Sequence, residues 1–415
     1  MAVVIGIVSI LIDIFIFFDI KRRCPGRTKL RYAYAISSVC CWIMIAVAIL
    51  MPYRSSTQSI TWIMWILFTY ITIYASKTVY LICSLAGYIP LLWRSRRLAS
   101  AKWIGVPLSI IVFCLLWWGA LVTRRQINIV NVTYVSDRLP EAFDGYKIVQ
   151  ISDLHLGTWG EETRFISAFV DSVNAQHPDL ILFTGDIVNR QTTEMAPFLS
   201  TLTRLKARDG VYSVLGNHDY GDYINWDTAQ EKAENMTLMK AWQRQIGWRM
   251  LNNETVDIIN GGDTIKLIGV ENWGEPPFRQ YGHLTDAYSI SRDSVCNLMD
   301  RRFKILMTHN PEHWRRESSE ISNINLTLSG HTHAMQMAIE IGSFRWSPAV
   351  LKYEEWGGLY RRNNRNGEPV DIYVNVGAGE VGMPFRLGAA KPEITVITLR
   401  LPSSECECST PRLVK

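Results

Sequence analysis

Up to about residue 125 the chain alternates long apolar runs with short polar breaks. The runs cover residues 3–18, 32–51, 61–93 and 103–122. An α-helix crosses the hydrocarbon core with about 20 apolar residues, so the second and fourth runs predict single spans and the first a short one. The third is too long for one simple span and too short for two. Lys77 and the Ser, Tyr and Gly positions after it dilute its second half, which predicts one helix continuing past the bilayer. A broken or re-entrant pair is the alternative, and it would reverse the topology. Lys77 and Asp13 are the ionisable residues inside these runs; Lys77 is expected to snorkel from a helix end and Asp13 to sit near an interface.

From residue 146 the texture changes. Short strand-like runs recur at 147–151, 180–183, 211–215, 265–270, 304–307 and 326–328. Between the first two, Phe165, Ile166, Phe169, Val170 and Val173 repeat at helical spacing, and Phe198, Leu199, Leu202 and Leu205 do so between the next two. These intervals suit right-handed βαβ crossovers, in which strands are buried on both faces. The pattern by itself points to an α/β, doubly wound sheet. The organisation expected is a transmembrane helical region over 1–125, a catalytic domain over 126–402 and a C-terminal tail over 403–415.

Charge divides at the same place. Residues 1–125 carry fourteen Lys/Arg against two acids, Asp13 and Asp19, and the remainder carries twenty-nine against thirty-six, so the net +5 is +12 followed by −7. The basic residues lie in clusters between apolar runs, which is the signature of membrane topology; no basic stripe marks the second half, and nucleic acid is not expected as a partner. Lys21, Arg22, Arg23, Arg27, Lys29 and Arg31 follow the first run, and Arg94, Arg96, Arg97 and Lys102 separate the third from the fourth; the second loop holds only Arg54. Both rich loops are expected in the cytoplasm, which places the N-terminus and the second half outside it; Arg124 and Arg125 pull the other way. No charged segment precedes the first run, so a cleaved signal peptide is not expected. Five of the eight cysteines lie in the apolar half; Cys296, Cys406 and Cys408 are too few and too badly spaced for a disulfide framework or a thiolate zinc site.

The chemistry sits in the turns. The strand-like runs lead into SDLHLG (152–157), TGDIVN (184–189), GNHDY (216–220), THNP (308–311) and SGHTH (329–333). Each cluster lies just past the carboxyl end of a strand, where open α/β sheets gather ligands, and glycines beside most of them are expected to let the backbone turn sharply. Together they offer Asp153, His155, Asp186, Asn217, His218, Asp219, His309, His331 and His333. Imidazole, carboxylate and amide without thiolate suit divalent Mn, Fe or Zn better than an all-oxygen calcium site. The set is too large for one ion with an open position and sufficient for two that share a carboxylate.

In this order the motifs DLH, GDIVN, GNHD, a lone His after a strand and GHTH resemble the calcineurin-like metallophosphoesterases, over roughly residues 125–400. Within that family the chain is similar to the membrane-attached branch that includes UDP-diacylglucosamine hydrolases of the lipid A pathway and YkuE-like phosphoesterases. The resemblance implies that Asp153, His155 and His333 hold one metal, that Asn217, His309 and His331 hold the other, and that Asp186 bridges them. It places His218 beside the leaving group, positioned by Asp219. It also implies a two-sheet β-sandwich flanked by helices in place of the simple doubly wound sheet, preceded here by a bundle of about four transmembrane helices. The chain departs from the family in two places: Ala334, Met335 and Gln336 stand where members often have Gly-Gly-Gln, and Asn189 where many have Asp.

Substrate contacts are expected from Asn189, whose alternative is to bond backbone near the ions, and from the aromatic segments 220–226 and 271–282 with Arg279, whose alternative is packing. Arg386, in the glycine-rich segment 376–388, is the third candidate for touching phosphate. The function expected is a membrane-anchored phosphoesterase dependent on two divalent metal ions. Its partners are the lipid bilayer and a phosphorylated substrate, for which a lipid-linked head group is a candidate; oligomeric state is not legible. The alternatives are a catalytically silent metal-binding ectodomain and the regulatory domain of a membrane sensor.

Overall fold

The structure is a computed structural model that describes residues 2–51, 57–89, 101–276, 278–288 and 301–402. It divides into two compact units, one holding Met1–Val122 with Gly382–Phe385, the other Thr123–Val381 with the chain from Arg386 on. The loops carrying Arg54 and Arg94, Arg96 and Arg97, the end of the third apolar run, Cys296 and the tail from 403 lie outside the described residues.

The first unit contains four helices: α1 (Ala2–Arg23), α2 (Thr28–Leu50), α3 (Thr57–Ala86) and α4 (Ala101–Leu121). Three segments, Thr28–Leu50, Ile60–Ala86 and Trp103–Arg125, are long and apolar enough to cross a membrane; α1, which bears Asp13 and Asp19, is not among them. Residues 61–86 of the third run lie in one continuous 30-residue helix, Thr57–Ala86, so the broken-pair alternative does not hold within α3. The expectation for Asp13 and Lys77 is corrected. They pair with each other, Lys77 Nζ lying 2.7 Å from Asp13 Oδ1, both side chains at 13% exposure or less. The hydroxyls of Tyr34 and Tyr74 donate to the same carboxylate at 2.8 and 2.7 Å, and Lys77 also donates to Ser38 Oγ at 3.2 Å. A lone charge in hydrocarbon costs several kcal/mol, and this cluster gives each charge a partner while tying α1, α2 and α3 together.

The second unit is built on two six-stranded sheets. The first is ordered β1 (Asn128–Val135), β15 (Glu393–Arg400), β2 (Lys147–Ile151), β3 (Leu180–Phe183), β4 (Val211–Ser213), β5 (Trp248–Met250). The second runs β12 (Gly358–Asn363), β13 (Pro369–Val374), β9 (Leu326–Ser329), β8 (Lys304–Met307), β7 (Asp263–Gly269), β6 (Glu254–Asn260). A small third sheet joins β11 (Phe344–Trp346), β10 (Met337–Ile341) and β14 (Leu387–Gly388). Strands β2 to β5 are parallel, joined by crossovers that include α5 (Arg164–Asn174) and α7 (Ala229–Gln245). Where a second helix was expected near 198–205 the chain forms a 3-10 segment, Thr192–Phe198, and one helical turn, α6 (Leu199–Leu202). Pro197 lies inside that segment and has no N–H for a helical ladder.

Side-chain alternation explains the layering. Ile148, Leu180 and Leu182 point from the first sheet into a core shared with Leu267, Ile305, Met307 and Leu328 of the second. Val149, Ile151, Ile181 and Phe183 point the other way, onto Phe165, Ile166, Phe169, Val170 and Val173 of α5. Each such side chain contributes roughly 1.5–3 kcal/mol by leaving water. The two faces make these strands continuously apolar, which is why the sequence suggested a doubly wound sheet. The second sheet, with β8 and β9 parallel and β6 and β12 antiparallel at its edges, turns the arrangement into a sandwich.

A candidate dinuclear metal centre

The turns after β2, β3, β4, β8 and β9 converge at one end of the sandwich. Asp153, His155, Asp186 and His309 are fully buried there, with Asn217 and His333 nearly so. Two ligand groups form, Asp153 with His155 and His333, and Asp186 with His309 and His331. In the first, His333 Nε2 lies 3.2 Å from Asp153 Oδ1 and 3.1 Å from His155 Nε2. In the second, His309 Nε2 lies 3.1 Å from Asp186 Oδ2 and 3.2 Å from His331 Nδ1. Asp186 Oδ2 is also 3.5 Å from His155 Nε2, so one oxygen faces imidazole nitrogens of both groups.

This donor set fits divalent cations. Nitrogen lone pairs facing each other across about 3 Å repel unless a proton or cation lies between them. Asn217 Oδ1 is buried without a hydrogen-bond donor, while its Nδ2 donates to Tyr223 OH at 2.7 Å, which leaves the carbonyl oxygen as a candidate ligand. His309 Nδ1 rests on the Thr184 carbonyl at 2.8 Å, and His331 Nε2 faces Tyr353 OH at 2.9 Å; each contact leaves the other ring nitrogen for an ion.

The electrostatics agree. Burial opposes ionisation of Asp186, yet the surrounding imidazoles, His309 first, hold it below the usual carboxylate range. His309 is disfavoured as a cation by burial, but the Asp186 carboxylate overrides this and pushes it up to about 9. His155 is pushed down to about 4 by burial, which keeps its lone pair for a metal.

The backbone is strained where the ligands sit. Asp153, His155, Asp186, His331 and His333 have φ between 43° and 74°, a region that costs non-glycine residues roughly 1–3 kcal/mol each. The expectation that neighbouring glycines supply the sharp turns is therefore only partly right. Gly185 does, at φ 98°. Gly216 and Gly330 are needed for space instead, because a Cβ on Gly216 would strike the Asp186 carboxylate and one on Gly330 would strike Ser152 and Asp153. Ala334, Met335 and Gln336 continue the left-handed run at φ 50°, 45° and 60°, so the backbone keeps a path suited to glycine although glycine is absent.

Other expected site residues take different places. Asp219 does not touch His218; its carboxylate accepts the backbone N–H groups of Gly216, Asp186, Ile187 and Val188 at 2.8–3.3 Å, and burial, with Asp186 alongside, pushes it up to about 7. It shapes the loops that carry Asp186 and His218. The His218 ring is held by Asn189, whose carbonyl lies 2.6 Å from Nδ1, and stacks on Tyr223 at 4.1 Å. The Asn189 side chain is used within the loops, bonding Thr158 N and Thr158 Oγ1 at 2.9 and 3.0 Å. Arg386 is fully buried, donating to the carbonyls of Gly379, Val376 and Ala390 at 3.1–3.2 Å, so it braces the glycine-rich segment and does not reach outward. Arg279 is exposed, 5.4 Å from the Tyr281 ring centre. The sequence reading missed Tyr353 and Lys352, whose amine lies 4.6 Å from the Phe278 ring, itself edge-on to His331 at 5.0 Å; KYEEW carries no mark of a site.

Similarity to known proteins follows the two halves. The family described as "Calcineurin-like phosphoesterase" matches residues 146–335, and "Probable Calcineurin-like phosphoesterase, transmembrane domain" matches residues 1–124. An uncharacterized metallophosphoesterase of Bacillus subtilis, YkuE, is 32% identical over 283 residues, 66% of this chain and 86% of the relative. A transmembrane protein with metallophosphoesterase domain from Danio rerio is 29% identical, covering 75% of this chain and 67% of its own. The Bos taurus protein of the same name is 27% identical over 90% and 84%. With its apolar helices, its convergent Asp and His groups and these relatives, the chain belongs to the calcineurin-like phosphoesterases, metal-dependent hydrolases of phosphoric esters, as a membrane-spanning member.

Proposed function

We propose that the protein hydrolyses a phosphodiester or related phosphoric ester with two divalent ions, Mn, Fe or Zn, one held by Asp153, His155 and His333, the other by Asn217, His309 and His331, with Asp186 between them. The observation that carries this is the shared oxygen: Asp186 Oδ2 faces nitrogens of both groups at 3.1 and 3.5 Å. Such ions supply Lewis acidity toward a phosphoryl oxygen and an acidified water. Asn217 is a neutral ligand, so the cluster stays able to attract an anion. His218, with Nδ1–H directed to the Asn189 carbonyl, is oriented to deliver a proton from Nε2 to the leaving oxygen. Tyr223 limits its rotation by stacking. Asp219 is a positioning residue for both loops.

Asp186→Asn tests the reading. The expected result is loss of one bound ion per chain by elemental analysis and a fall in hydrolysis of a chromogenic phosphodiester by about a hundredfold or more. Two tightly held ions and undiminished turnover would overturn it. The distribution of basic residues supports a catalytic domain outside the cytoplasm, a placement that suits a lipid or cell-envelope phosphate; a lipid-A-type nucleotide-sugar substrate requires the opposite side. A reporter enzyme fused after Lys415 decides between them. A catalytically silent metal-binding domain is disfavoured, because the ligands and the candidate acid are all present.

A further inference from the structure

The β10–β11 hairpin exposes an uncharged apolar face. In its register Ile339 opposes Trp346 and Ile341 opposes Phe344, and directly opposed residues share a face. These four are 42%, 39%, 72% and 58% exposed. Glu340 opposes Arg345 on the other face; the two form an ion pair at 2.8 Å, and the Arg345 guanidinium lies over Trp356 at 5.0 Å and donates to the Gly357 carbonyl at 3.2 Å. Arg345 reaches from this face toward the domain, while its side chain and that of Glu340 stay 38% and 39% exposed, so both faces of the hairpin meet solvent and one of them is wholly apolar. An exposed sheet face in water is ordinarily polar. Leu351, just downstream, is 87% exposed, and the exposed Lys352 follows it.

We propose that this apolar face docks into the lipid interface of the membrane that the chain itself spans, and that the substrate is consequently an amphiphile whose phosphate lies at that interface. This rests on the phosphoesterase reading above for its second half only. A bilayer fits the face better than a protein partner on three grounds. Trp, Phe and Ile without a charge, followed by Lys352, are the composition of an interfacial anchor near anionic head groups. Its four apolar side chains are far fewer than the roughly 20–30 residues a side of a stable protein interface. The chain is already tethered, since residues 122–127 join α4 to β1 and extend at most about 20 Å. The hairpin is also coupled to the metal centre: β10 leaves the His331–His333 turn through Gln336, and Ser347 Oγ, directly after β11, donates to the Ala334 carbonyl at 2.6 Å. Docking the hairpin therefore fixes the height of His331 and His333 above the lipid.

The test uses the full-length protein in nanodiscs of equal parts phosphatidylcholine and phosphatidylglycerol, with Phe344 replaced by p-benzoylphenylalanine and irradiated. The expected product is phospholipid attached to the peptide carrying position 344, and none when the photoreactive residue replaces the exposed Arg249. Cross-links to another segment, to a second copy, or no adduct would overturn the assignment. In the activity arm, Ile341→Asp with Phe344→Asp is expected to lower hydrolysis of a bilayer-embedded phosphodiester about tenfold while leaving bis(p-nitrophenyl) phosphate within about twofold. Equal loss on both substrates, or no loss on either, overturns the interfacial role. If the unaltered protein cleaves neither substrate while the photoreactive variant labels lipid, the phosphoesterase reading falls and the docking surface stands.

Discussion

His218 and Glu194 show how much a single side chain's neighbours decide. His218 has its Nδ1 committed to the Asn189 carbonyl, so replacing it by Asn should leave bound metal unchanged. Turnover of an ester with a poor, alkyl leaving group should fall about 10²–10⁴-fold, and that of a p-nitrophenyl ester much less, because only the former needs the proton; equal losses would remove the acid role. Glu194 accepts the Asn189 N–H at 2.6 Å, and burial pushes its carboxyl up to about 7. The folded state then holds a proton that the unfolded state releases near 4.5. This contribution to stability is complete below about pH 4.5 and is lost as pH rises to about 7, on the order of 3 kcal/mol. Melting temperature should decline over that window and decline less in Glu194→Gln; parallel profiles would refute the assignment. The candidate ligands could be read from the sequence because Asp153, Asp186, His309 and His331 each follow an apolar strand closely. The partners that hold them were not, since Asp219 reaches backbone amides thirty residues upstream, a relation no local pattern encodes.

At the level of elements, the parallel strands β2, β3, β8 and β9 could be read from their apolar runs, whereas the edges could not. Strands β6 and β12 are half exposed and alternate with polar residues, and β10–β11 leaves its apolar positions exposed, so periodicity alone does not tell which face is buried. The loops between strands and ligands carry their own test. In Gly216→Ala the added methyl meets the Asp186 carboxylate, and the loop must move or the ligand must. Metal content should fall by roughly half and activity by about tenfold or more, with circular dichroism unchanged; full metal loading would show that the loop yields without cost.

For the whole molecule, the five strained candidate ligands, which follow strands of both sheets, couple the proposed metal binding to folding. Removing metal with a chelator should abolish hydrolysis and lower the melting temperature by about 5–15 °C, from about 3–4 kcal/mol of linkage for ions at 100 to 1,000 times their dissociation constant, with Mn²⁺ restoring both; an unchanged melting temperature would mean that the centre is not filled in the purified protein. The change from long apolar helices to a unit built on sheets was visible in charge and hydropathy together. The pairing of Asp13 with Lys77 was not, because the two lie on different helices and each viewed singly looks like an interfacial residue. That pairing has a consequence for biosynthesis. Asp13 leaves the ribosome long before Lys77, so α1 begins its life with an acid whose counter-ion has yet to be made, and the charge is matched only once α3 has been delivered beside it.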